Sequence, residues 1–167
     1  MERLLATALL CFTLLGVQTA AGAIRSEPVE YRHNGVTLQG NLYWDDAGDE
    51  RRPGVLVVHE WWGLNDYVRS RARRLAELGF VAFAADMYGE GQNTRHGATA
   101  QEWMQQITAN RDEWRARAAA GLEQLRRHPR VDPERLAAVG YCFGGATVLE
   151  LAYGGADLKG VVSLHGS

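Results

Sequence analysis

Val55-Leu56-Val57-Val58 is an apolar, largely β-branched run with no alternating polar position. A strand with one wet face alternates. A run without alternation suits a strand covered on both faces, as in a parallel sheet. Residues 80–85, 136–139 and 158–164 repeat the signal and are expected to be further buried strands. Between the first two runs, Asn65 or Asp66 can cap a helix through Leu78, and Gly79 can close it. Val68, Ala72, Leu75, Ala76 and Leu78 form its apolar stripe. Residues 99–110, 111–127 and 144–153 read as helices, 89–97 as a glycine-rich loop and 129–133 as a turn. Ahead of them, Asn34-Gly35 marks a hairpin turn within residues 29–44. A hairpin followed by strand–helix alternation predicts one α/β domain, a mostly parallel sheet with flanking helices. A hydrophobic content of 46% with 23% charged residues excludes a disordered chain. A net charge of −2 supplies no basic field for nucleic acid.

Residues 1–23 read as a secretory signal peptide. Arg3 supplies the positive start, residues 4–17 the apolar run, and Ala21-Gly22-Ala23 the small-residue cleavage pattern. The run is shorter than the roughly 20 residues a membrane span needs. The expected mature domain is therefore 24–167, exported to a periplasm or secreted, with no membrane association after cleavage. Of the two cysteines, Cys11 leaves with the signal and Cys142 stays as a lone thiol in an oxidising compartment.

Gly140-Tyr141-Cys142-Phe143-Gly144 follows a strand and opens a helix. This is the pattern of a nucleophile elbow, with cysteine in the nucleophile's place. The tight turn lifts the sulfur above the sheet edge and sets it at a helix N-terminus, where negative charge is favoured. It also aims the Phe143 amide at a developing oxyanion. The bland alternative is a small buried cysteine beside packing glycines. His59-Glu60-Trp61-Trp62-Gly63 follows residues 55–58 directly, and ligands of open α/β sheets bind at such strand ends. The Trp61 amide is placed to be the second oxyanion donor. Glu60 is a carboxylate among tryptophans, and the alternative is a surface acid. His59 reads as a hydrogen-bonded structural histidine rather than a base. Trp103 and Trp114 read as core or pocket wall.

HEWWGLN after one strand, DMYGEG after the next and GYCFGG at the elbow together resemble the dienelactone hydrolase family of α/β-hydrolases. The similarity runs from Val29 to the end of the chain. It implies an α/β-hydrolase-type sheet and a cysteine hydrolase that opens small esters or lactones through a thioester. It implies Cys142 as nucleophile, Glu60 as the carboxylate that holds or deprotonates the resting thiol, and the Trp61 and Phe143 amides as oxyanion hole. Trp62 and Tyr88 are expected to line the substrate pocket, with packing under the loop as the alternative for Tyr88. No metal or organic cofactor is implied. The expected partner is a small ester or lactone, not nucleic acid.

Two departures follow from the resemblance. Dienelactone-cleaving members carry an arginine just after the D-x-Y-x stretch, where this chain has Glu90. Arg95, farther along the loop, is the candidate substitute, so a generic ester or lactone is expected before an anionic dienelactone. In this fold the chain order is nucleophile, acid, then histidine. Only His165 follows Cys142, at a strand end of its own. The acid and base are therefore expected beyond Ser167, the domain incomplete at its C-terminus, and the fragment inactive. The competing expectation is a non-catalytic, hydrolase-like binding or interaction protein.

Overall fold

The computed structural model describes residues 22–166. The expected signal segment, with Cys11, lies outside them apart from Gly22 and Ala23. In chain order the elements are β1 (Ile24–His33), β2 (Val36–Asp45), β3 (Arg52–Val58), α1 (Asp66–Glu77), β4 (Val81–Ala85), α2 (Gly97–Thr108), α3 (Arg111–Arg127), β5 (Val131–Tyr141), α4 (Phe143–Tyr153) and β6 (Gly160–Leu164). They build a mixed sheet in the order β1-β2-β4-β3-β5-β6. β1 and β2 form the antiparallel hairpin, and β2 also runs antiparallel to β4. β4, β3, β5 and β6 are parallel. Asn34 and Gly35 take positive φ at the hairpin tip, the geometry that an Asn-Gly turn supplies.

The missing alternation in the central strands has a direct cause. Leu56 and Val58 of β3, with Val81, Phe83 and Ala85 of β4, face the core that α3 and α4 cover. Val55 and Val57, with Ala82 and Ala84, face the smaller core beneath α1. Both faces are dry, so both sets are apolar. Each large side chain buried this way contributes about 1.5–3 kcal/mol. Helix α1 starts where Asn65 Oδ1 accepts the Val68 amide at 3.2 Å, and Gly79 (φ +91°) follows its end.

Two expectations are corrected. The segment expected as a turn already belongs to β5: Val131 and Asp132 pair with Arg52 and Pro53 before the ladder shifts register and resumes at Leu136. Pro133 has no amide to give, so the strand is interrupted there rather than begun. The last strand starts at Gly160, not 158, and is only partly buried. Val162 is 53% and Leu164 39% exposed. Val161 packs on the α3–α4 core, whereas Val162 lines an open cavity together with Arg74 and Leu75 of α1.

Candidate active site

Three strand ends converge. The register pairs Val58 of β3 with Gly140 of β5 on one side and Ala85 of β4 on the other. The segments 59–62, 86–88 and 141–143 therefore leave the same edge of the sheet together. This is the edge at which open α/β folds hold ligands.

Cys142 is the hinge between β5 and α4. Its backbone sits at φ 54°, ψ −119°, outside the regions an L-residue favours. Such a conformation costs on the order of 1–3 kcal/mol and persists only where its surroundings enforce it. The Cys142 amide donates to the Leu164 carbonyl at 2.9 Å, and the Cys142 carbonyl accepts the Ala146 amide at 3.1 Å. The flanking glycines are sterically required. A Cβ at Gly140 would strike the Gly144 carbonyl, and one at Gly144 would strike the carbonyls of Val58 and His59. The thiol is half-buried and unbridged.

The two amides expected as oxyanion donors lie on two of these converging segments. Phe143 is the first residue of α4, whose opening amides have no partner within the helix. The Trp61 amide has no acceptor among the described residues. Glu60 is half-buried in the same loop, and its carboxylate makes no hydrogen bond there. Its backbone carbonyl accepts from Gly63 at 3.2 Å and from the His59 ring.

His59 is fully buried and committed at both nitrogens. Nε2 accepts the Met87 amide at 3.2 Å, so Nδ1 carries the proton it donates to the Glu60 carbonyl at 2.5 Å. Burial holds its pKa below the ordinary 6.5. The ring is a neutral strut between the β3 and β4 loops. Asp86 is the neighbouring strut. Its carboxylate takes the amides of Gln39, Tyr88, Gly89 and Gly91 at 2.8–3.0 Å. That set of donors satisfies a fully buried charge and shapes the loop below Tyr88.

Tyr88 joins the three segments. Its phenol donates to the Trp61 carbonyl at 3.0 Å. Its ring stacks on Phe143 at 5.6 Å and lies 4.9 Å from His59 and 5.5 Å from Trp103. Burial, and next the charge of a Cys142 thiolate, push its pKa well above the usual phenol range. Tyr88 thus remains a proton donor at neutral pH. Trp114 stacks on the far side, 5.8 Å from Phe143, and its Nε1 donates to Thr147 Oγ1 at 2.8 Å. Thr147 passes a hydrogen bond to the Phe143 carbonyl. Trp103 and Trp114 are thus aromatic wall behind the elbow. Trp61 and Trp62 meet edge to face at 4.8 Å, and Trp62 also borders a separate cavity.

His165 takes a left-handed conformation (φ 47°) at the exposed end of β6, and its ring makes no hydrogen bond among the described residues. One feature escaped the sequence reading. Arg71 of α1 donates from Nε to the Tyr141 phenol at 3.2 Å, with its guanidinium 5.8 Å from the Tyr67 ring and 5.9 Å from that of Tyr141. The Tyr67–Arg71 spacing of one helical turn was a usable signal for half of this cluster.

Comparison with known proteins places this arrangement in a family. The dienelactone hydrolase family model matches residues 39–167. Protein usf of Aquifex pyrophilus is 34% identical over 128 residues, 74% of this chain and 54% of that protein. A protein of Aquifex aeolicus, provisionally named a carboxymethylenebutenolidase, is 34% identical over 131 residues with the same coverage. The crystal structure of a dienelactone hydrolase-like promiscuous phosphotriesterase from metagenomic libraries superposes with a TM-score of 0.84 at 45% identity, covering 87% of this chain and 60% of that one. The chain spans about half the length of the curated relatives it matches. On the family model, these relatives and the shared fold, the chain belongs to the dienelactone hydrolase family.

Proposed function

We propose that the protein is an exported cysteine hydrolase of small esters or lactones. One observation carries the reading: Cys142 is held at φ 54°, ψ −119° at the start of α4, and the Phe143 and Trp61 amides, on two of the converging segments, lack internal acceptors. An unfavourable backbone at a nucleophilic side chain, beside uncommitted donors, is the arrangement acyl transfer needs.

The Cys142 sulfur, as thiolate, attacks the ester carbonyl carbon. A C–S bond forms and the carbonyl electron pair moves onto oxygen, where the Trp61 and Phe143 amides receive it. Collapse breaks the C–O bond. The leaving oxygen takes a proton from the protonated base and departs as the alcohol, and a thioester remains on Cys142. Water then attacks the thioester, gives up a proton to the base, and releases the carboxylic acid and the thiolate. Glu60 is the carboxylate that holds or takes the resting thiol proton. Tyr88 and Trp62 border the substrate. His59 is not the base, because its nitrogens are occupied. The base and its orienting acid are assigned to the part of the relatives that this chain does not span. No cofactor enters the scheme, and residues 1–23 are assigned to export into a periplasm or out of the cell.

Expression from the complete reading frame, with small aryl esters as substrates, tests the proposal. Turnover is expected, and Cys142→Ala is expected to reduce it to background. Unchanged turnover in the variant would remove Cys142 as nucleophile.

A further inference from the structure

Glu113 and Arg117 stand one turn apart on α3. An exposed pair at this spacing contributes little, but this one is mostly enclosed, with the Arg117 side chain only 12% exposed. Arg117 donates to Glu113 Oε1 from Nε at 3.3 Å and from Nη2 at 2.8 Å. The other carboxylate oxygen, Oε2, takes the tip of the β1–β2 hairpin: Asn34 Nδ2 at 2.7 Å and His33 Nε2 at 3.1 Å. Burial works against a charge on Glu113, yet the bonds from Arg117, Asn34 and His33 hold its pKa below the ordinary glutamate value. The guanidinium is thus anchored from behind by an ionised acid.

Its front edge points into the active-site loop. Nη1 donates to the Met87 carbonyl at 3.2 Å. That contact completes the hold on the two peptides that lead into Tyr88. In the first, the Asp86 carbonyl accepts the Tyr31 phenol at 3.2 Å, and the Met87 amide donates to His59 Nε2 at 3.2 Å. In the second, the Met87 carbonyl takes Arg117, and the Tyr88 amide donates to Asp86 Oδ1 at 2.9 Å. Tyr31 reaches in from β1, and His59 and Asp86 follow strands β3 and β4. Arg117 alone of these four holders comes from a helix and brings a positive charge, and bonds from charged donors are the stronger ones.

Tyr88 passes this constraint on. Its phenol holds the Trp61 carbonyl at 3.0 Å and its ring stacks on Phe143 at 5.6 Å. Those are the two residues whose amides are assigned to the oxyanion. Fixing the 87–88 peptide plane fixes the direction in which the Tyr88 side chain leaves the backbone. A shift of about 1 Å at such a brace is enough to slow a reaction that depends on alignment.

We propose that Arg117 is a positioning residue for the hydrolysis. Anchored on Glu113, and through it on the hairpin tip, it locks the 87–88 peptide so that Tyr88 braces Trp61 and Phe143 together. Arg117 acts through Tyr88, since its own hydrogen bonds go to Glu113 and Met87. The role rests on the hydrolase reading above; the mechanical link between Arg117 and Tyr88 does not.

Steady-state kinetics of the protein from the complete reading frame, with an uncharged aryl ester, tests it. Arg117→Gln is expected to lower kcat about tenfold and to leave KM within about twofold. An unchanged kcat, or a loss confined to KM, overturns the assignment. A double-mutant cycle separates positioning from general weakening. Tyr88→Phe lowers kcat on its own, but in the Arg117→Gln background it is expected to change kcat by less than about twofold. No effect of Tyr88→Phe alone, or full multiplication of the two effects, overturns action through Tyr88. Glu113→Gln keeps the side-chain shape and weakens the anchor. It is expected to show the same pattern with about a threefold loss of kcat, and it decides the matter if Arg117→Gln does not fold. Absence of all ester turnover contradicts the hydrolase reading instead. Urea unfolding then decides the link: the stability losses of Arg117→Gln and Tyr88→Phe are expected to be less than additive, and additive losses overturn it.

Discussion

The phenol of Tyr88 donates to the backbone carbonyl of Trp61 at 3.0 Å, tying the loop after β4 to the loop after β3. The bond orients the peptide that follows Trp61, next to the amide assigned to the oxyanion. Tyr88→Phe keeps the stacking on Phe143 and removes only this bond. Loss of about 1 kcal/mol of stability is expected in urea unfolding, with a several-fold drop in kcat for aryl esters. Unaltered stability and kcat would show that the bond constrains neither loop.

Two glycines give a paired steric test. A Cβ at Gly144 meets the Val58 and His59 carbonyls, whereas one at Gly97, at the start of α2, meets nothing within 4 Å. Gly144→Ala is expected to cost about 1–3 kcal/mol or more, because backbone has to move. Gly97→Ala is expected to be neutral or stabilising by up to about 1 kcal/mol. Thermal denaturation of the two variants compares them directly. Equal transition temperatures would contradict the packing described at the elbow.

The helix cap is a smaller, separate test. Asn65 Oδ1 takes an amide that α1 otherwise leaves open. Asn65→Ala is expected to cost about 1 kcal/mol, and Asn65→Asp nearly nothing, in denaturant unfolding.

Burial holds the His59 pKa below 6.5, its value in an unfolded chain. As pH falls through that value, the unfolded state takes up a proton that the folded state refuses. The unfolded state then binds more protons, so stability falls with falling pH from about 6.5 until the folded value is reached. His128, half-buried against Trp44, contributes in the same direction. Denaturant midpoints measured across this range are expected to decline toward acid. His59→Gln should be less stable overall but show a shallower decline. A slope identical to wild type would place the titration elsewhere.

Much of the fold is legible in short stretches of sequence. The unalternating 55–58 and 80–85 runs follow from two dry faces, and Asn34-Gly35 from the left-handed turn it occupies. The elbow is legible for the same reason: its glycines, cysteine and helix start lie within five residues. What depends on distant pairing is less visible. β5 begins at Val131 because Arg52 and Pro53 lie beside it, although Pro133 reads locally as a breaker. β6 reads as buried from its composition, yet burial depends on what packs over Val162. The bridge between Gly63 and Asn93 joins the loops after β3 and β4, and no periodicity links those positions. His59 was legible as structural, but the carbonyl and amide that fix its tautomer were not.

Acyl trapping tests the central claim most directly. The protein from the complete reading frame is mixed with an activated aryl ester, quenched in acid within the first turnover, digested, and analysed by mass spectrometry. The account predicts an acyl group on the peptide containing Cys142, discharged by hydroxylamine as a thioester is, and absent in Cys142→Ala. Ester turnover with no acyl group on Cys142, or with the label on another residue, would contradict it.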